Sequence, residues 1–156
     1  MKIEIKQIVE TIGVSSIVIS LLILAYQTNQ SNRIAIATAE IEINSIYTGI
    51  NEIWIENKPL RDAYYKANLD GGVSDLSREE RDLLNRYIFR FVNAWWSREA
   101  AFRNGVLSAE SFNRVFNDID ALIADPAYRD SFRILADRYT ASEENPLIVH
   151  IRESLE

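Results

Sequence analysis

Between Thr11 and Asn32 the chain carries no charged side chain for 22 residues. The heart of this run, Ile12 to Tyr26, is apolar almost throughout, with Ile17, Val18, Ile19, Leu21, Leu22, Ile23 and Leu24 nearly contiguous. A helix of roughly 17–25 apolar residues is long enough to cross the hydrocarbon core of a bilayer. Ser15, Ser16 and Ser20 fit such a helix, because a hydroxyl can bond to the helix's own carbonyls. The pattern predicts a transmembrane helix over about residues 8–28. A buried core helix and a secretory signal share the same apolar run. Against the signal, the run leads into Tyr26-Gln27-Thr28-Asn29-Gln30, which lacks a small-residue cleavage pattern, and the helical period continues past it.

That period has no Gly or Pro until Gly49. Ile36, Ala39, Ile43, Ile46, Ile50 and Ile53 follow one another at intervals of 3, 4, 3, 4 and 3, the alternation of a coiled-coil seam. Extended backwards, the register places Asn29 and Asn32 on the same seam, where asparagine fixes register and oligomer number at some cost in stability. A second stripe carries Ile34, Ile41, Tyr47, Trp54 and Ile55. A helix apolar on two sides must be covered on two sides. The reading is one face on its own domain and the other, through Asn29, Asn32, Ile36, Ile43, Ile46, Ile50 and Ile53, on a partner chain. Coverage of both stripes within one chain is the plainer alternative.

Each later boundary reads as a helix end. Pro59 stands at an expected first helical position, and the segment to Leu69 closes at Asp70-Gly71-Gly72. Ser77-Arg78-Glu79-Glu80 is a capping box opening a helix to about Asn104, with Gly105 as its stop. Leu84, Ile88, Phe91, Trp95 and Phe102 form its apolar face, widened by Tyr87, Val92 and Trp96. Ser108, Asp125-Pro126 and Asn145-Pro146 open three more helices. No strand alternation, hairpin turn, repeat or low-complexity segment interrupts this. The predicted fold is all-α: an N-terminal transmembrane helix continues into a long amphipathic helix, packed with about four to five further helices in a small bundle. The domains are an N-terminal segment over 1–32 and a helical soluble domain over 33–156.

Averages taken over the whole chain conceal this division. With 47% hydrophobic and 26% charged residues, the 156-residue sequence has the composition of a soluble globular domain. Its net charge of -6 belongs wholly to residues 33–156, because Lys2 and Lys6 cancel Glu4 and Glu10. An acidic balance argues against nucleic acid as a partner. The lack of cysteine excludes disulfides, thiolate catalysis and cysteine zinc sites. Lys2 and Lys6 before the span, against Arg33 alone until Lys58, favour an inside N-terminus and an external domain.

The apolar span running into Tyr26-Gln27-Thr28-Asn29-Gln30-Ser31-Asn32-Arg33, followed by a helical body with Trp95, Glu99, Phe102, Asn104-Gly105-Val106-Leu107-Ser108 and Phe112, resembles a widespread group of bacterial single-span membrane proteins of uncharacterised function. The resemblance covers most of the chain and implies a membrane anchor. Members of that group typically carry two arginines just after the span, which hold the body in the cytoplasm; here Arg33 stands alone, so the resemblance does not carry that topology over. The group supplies no catalytic residues to carry over.

Candidate chemistry is sparse. His150 is the single histidine and forms H-x-x-E with Glu153, too few ligands for a zinc or di-iron site. No P-loop, H-E-x-x-H or G-x-G-x-x-G occurs. Glu99, one turn beyond Trp95, is the best inward carboxylate, and pairing with Arg98, Arg103 or another helix's arginine is its expected role. Arg78, Arg81, Arg86 and Arg90 read as a solvated or partner-facing helix surface. No catalytic residue, metal ligand or cofactor is assigned. The expected function is a non-enzymatic, membrane-anchored helical protein of the bacterial inner membrane, single-pass, that forms a homo-oligomer or docks as an accessory subunit of a membrane complex. Two alternatives stand beside it. One is a ligand sensor or enzyme with a pocket or anchor at Trp95, Trp96, Glu99 and Phe102, near Tyr139. The other is an oligomeric pore lined by Ser15, Ser20, Asn29 and Asn32.

Overall fold

A computed structural model of the protein describes residues 5–69, 72–139 and 145–156, and there it is all-α. The helices are α1 (Ile5–Glu56), α2 (Lys58–Asn68), α3 (Arg78–Arg103), α4 (Ala109–Ile123), α5 (Pro126–Arg138) and α6 (Pro146–Leu155), with a 3-10 turn at Val73–Asp75. The chain forms two units, one ending at Thr38 and one running from Ala39 to Glu156, and their boundary falls inside α1.

A helix begins with orphan backbone N–H groups, and α2 to α6 each open at a side chain that accepts from them. The Ser77 Oγ accepts from Glu80 N at 3.2 Å while Glu80 Oε2 accepts from Ser77 N at 2.6 Å, completing the capping box. Lys66, bonded to Glu80 at 2.8 Å, and the Ser77 N–H together hold the Glu80 carboxyl below its ordinary range. Ser108 accepts from Ser111 N, Asp125 from Ala127 N, and Asn145 from both Leu147 N and Ile148 N. At α2 the cap is Asn57, which accepts from Leu60 N at 3.0 Å. Lysine has no acceptor, so Lys58 cannot take that place, and Pro59 is the second helical residue rather than the first. Gly72 lies at φ 65°; Asp70 and Gly71, the rest of the expected linker, lie outside the described residues. At the end of α3, Val106 N donates to Ala101 O and Gly105 N to Phe102 O, both at 2.9 Å. This is a Schellman closure, and it requires the φ of +70° that Gly105 adopts.

Within 39–156, α5 packs on α2, α3, α4 and α6. Trp95 of α3 and Phe132 of α5 are fully buried, ring planes 16° apart and centroids at 6.1 Å. Burial of one such ring is worth roughly 2–3 kcal/mol. The last turns of α1 close one side: Tyr47 meets Phe91 edge-on at 6.2 Å, and Trp54 lies 5.0 Å from Tyr64 and 5.6 Å from Tyr87.

Candidate functional site

From Ile8 to Tyr26 the large apolar side chains of α1 point in every direction around the helix and are 47–71% exposed. Their hydroxyl-bearing neighbours turn back on the helix. Thr11 donates to Gln7 O, Ser16 to Ile12 O and Ser20 to Ser16 O, each at 2.8 Å, and Thr28 to Leu24 O at 2.9 Å. A helix apolar on all sides is stable where its surroundings are apolar too. α1 is long and apolar enough to cross a membrane. Ser15, Ser20, Asn29 and Asn32 are all exposed.

Further along α1 the predicted seam divides. Ile43 and Ile50 are only 6% and 3% exposed and belong to the protein's own core, against which Ile53 also packs. Ile36 and Ile46 are each 39% exposed. Tyr47 and Trp54, from the second stripe, share the inward side, so within residues 39–156 the face of α1 left open carries Ile41 and Ile55. The two stripes are therefore not the two faces: one side of the helix takes residues from both.

The residues expected to form a pocket also separate. Trp95 is sealed in the core and Phe102 stacks on Phe112 at 4.8 Å with nearly parallel planes. Trp96 and Glu99 line an open depression of about 330 Å3 with Arg103 and Asn145, and Tyr139 meets Trp96 edge-on at 5.2 Å. Glu99 is buried. Its Oε2 accepts from Asn145 Nδ2 at 2.9 Å, and its Oε1 lies 2.5 Å from Arg103 Nη2 without hydrogen-bond alignment. The arginine that pairs it is thus Arg103, one turn away. Because Asn145 also caps α6, the carboxylate orients the start of that helix.

A second polar group has no local spacing that would reveal it in the sequence. Tyr47 donates to Asp118 Oδ2 at 3.4 Å, and the Arg98 guanidinium lies 4.8 Å above the Tyr47 ring. Trp95 Nε1 and Arg98 Nε are buried beside them without a hydrogen bond. Burial pushes Tyr47 up to about 12 and raises Asp118 above the ordinary carboxylate range, with Arg98 opposing both shifts. Next to this group, Glu40, Asn44, Arg98, Ser111 and Arg114 line a pocket of about 160 Å3.

His150 has Asp120 as its partner rather than Glu153: Nε2 lies 2.8 Å from Asp120 Oδ1, and Ser154 Oγ donates to the same oxygen at 2.9 Å. These are the residue types of a nucleophilic triad joined in the wrong order. A triad places the imidazole between serine and carboxylate, so that the imidazole takes the serine proton. Here the carboxylate is central, and Ser154 gains no base. Among the described residues no group of three His, Asp or Glu side chains converges as a metal site.

Comparison with protein-family models, curated proteins and solved structures finds no match for this chain.

Proposed function

We propose that the protein is a non-enzymatic, single-pass protein of the bacterial inner membrane whose helical domain self-associates or docks as an accessory subunit of a membrane complex. One observation carries this reading: none of the large apolar side chains of α1 between Ile8 and Tyr26 is buried by the protein itself. Lipid is the environment in which that surface costs nothing. Among the described residues, the polar centres of the helical domain join helices to one another and bring no nucleophile to a base, which favours a structural or binding role over catalysis. For association, the face with Ile41 and Ile55 is open, whereas Ile43 and Ile50 are occupied.

Expression in a bacterium followed by carbonate extraction tests the anchor. The chain should stay in the pellet, and Leu22→Arg with Ile19→Arg should release it. Recovery of the unaltered chain in the supernatant would overturn the reading. Because the chain has no cysteine, a single Cys placed at the exposed Thr48 reports the side of the domain by impermeant-thiol labelling. Light-scattering mass in detergent reports assembly, and a strict monomer that retains no partner from native membranes would refute it.

A further inference from the structure

We infer that a groove between α3, α5 and the 3-10 turn binds a small zwitterion, an amino acid with an apolar side chain. The groove encloses about 300 Å3, at the small end of ligand sites, and at ~30 Å3 per water it holds roughly ten non-hydrogen atoms. Its walls are Val73, Leu76, Leu84 and Ile134, which suit an aliphatic or aromatic side chain.

The floor is polar where a helix packing against another would ordinarily carry alanine or valine. Ser131, 3% exposed, donates from Oγ to Asn85 Oδ1 at 2.7 Å. The bond fixes the amide orientation, and the two Asn85 N–H donors make no hydrogen bond to any described residue. Asn85 is half-buried and lines the groove, and donors held in place there are suited to a carboxylate.

The rim supplies charge of both signs. Four charged residues line the groove, and Arg133 Nη1 and Asp130 Oδ1 neutralise each other at 2.8 Å. Arg81 on α3 and Asp137 on α5 form no ion pair with any described residue. Among the described residues, one cation and one anion without an ion pair stand over a small apolar cleft, which matches a ligand with a carboxylate, an ammonium group and an apolar side chain. A simple anion would leave Asp137 opposing it, and a neutral hydrocarbon would leave the Asn85 donors unpaired, which costs affinity. The inference stands whether or not α1 spans a membrane.

The experiment is a thermal-shift and calorimetric titration of the full chain in detergent with L-leucine, L-methionine and L-phenylalanine at millimolar concentration. Isocaproate and isoamylamine, which are leucine without its ammonium or its carboxylate, serve as controls. At least one amino acid should raise Tm, and each control should bind about fivefold more weakly than leucine, or not at all. Arg81→Gln should reduce the preference for leucine over isoamylamine, with the Asn85 donors keeping part of it, and Asp137→Asn should abolish the preference over isocaproate. Both positions are exposed, so the fold is retained, which circular dichroism checks. Failure of all three amino acids to bind, or binding that neither substitution alters, would overturn the assignment. Anchoring is read separately by membrane extraction.

Discussion

The Tyr64 hydroxyl donates to Asp125 Oδ2 at 2.7 Å, joining α2 to the residue that caps α5. Asn68 donates to the other oxygen of the same carboxylate at 3.2 Å, so a single aspartate opens one helix and receives two bonds from another. Replacement of Asp125 by alanine removes a cap and two inter-helix bonds. Chemical denaturation should show a loss of about 2 kcal/mol, with Asn, which keeps the cap, losing less.

Alkaline pH should weaken the fold. Tyr64 is pushed up to about 12, first by its bond to Asp125 and then by burial, and Tyr47 reaches about 12 by burial. Burial also raises Tyr87 and Tyr128. Each folded pKa lies above the unfolded value of 10.0, so the folded state favours the protonated phenol. The stability this confers is complete below pH ~10 and lost as pH rises towards ~12. Denaturation midpoints measured across that window should fall, and the Tyr47→Phe, Tyr64→Phe double variant should fall less steeply.

Asp118 makes the opposite case for a carboxylate. Burial raises its pKa despite the attraction of Arg98 and the Tyr47 hydroxyl, so its ionised form is less stable in the fold than in water. Asp118→Asn should leave Tm at pH 7 unchanged or higher. Below pH ~3.5, where the native carboxyl is protonated, that advantage should vanish. A large loss at pH 7 would show that Arg98 is its decisive partner.

Substitutions along α1 should separate packing from association. Ile50→Ala creates a cavity and should cost about 3 kcal/mol, with Ile43→Ala similar or less. Ile41→Asn and Ile55→Asn alter residues that are each 69% exposed and should leave the denaturation midpoint in place. If α1 mediates association, these two will reduce the mass in detergent.

Glu99→Ala should loosen α6. It removes the acceptor for Asn145 Nδ2 and leaves Arg103 without its partner, while Glu99→Gln keeps an acceptor for Asn145. A loss of about 1–3 kcal/mol for Ala and a smaller one for Gln is expected. Amide exchange concentrated in Pro146–Leu155 would place the effect at that helix.

Helix boundaries were legible because the groups that make them are local. Ser77 and Glu80, Ser108, Asp125 and Asn145 satisfy N–H groups two or three residues away, and Gly105 supplies a φ that other residues resist. Pro59 stands one position further into α2 than expected, because Asn57 caps the helix and Lys58 is its first residue. What covers a helix face was not legible. A 3–4 spacing shows which residues lie together and says nothing of their neighbour, so Ile43 and Ile50 looked outward and pack inward, while Ile46 between them stays exposed. Partners distant in sequence leave no spacing at all: Tyr47 finds Asp118, Ser131 finds Asn85, and His150 finds Asp120 instead of the nearby Glu153. Glu99 shows both sides, since Arg103 was readable one turn away and Asn145 was not.

Four hydroxyls in the first half of α1 are bonded to the carbonyls of their own helix. That stretch presents hydrocarbon outward with those hydroxyl protons already engaged, so its apolar residues do not encode a preference for particular neighbours. Any apolar helix of the same length should do its work, and shuffling Ile12 to Leu24 among themselves should be nearly silent. By that argument the individuality of this protein is written outside Ile12 to Leu24.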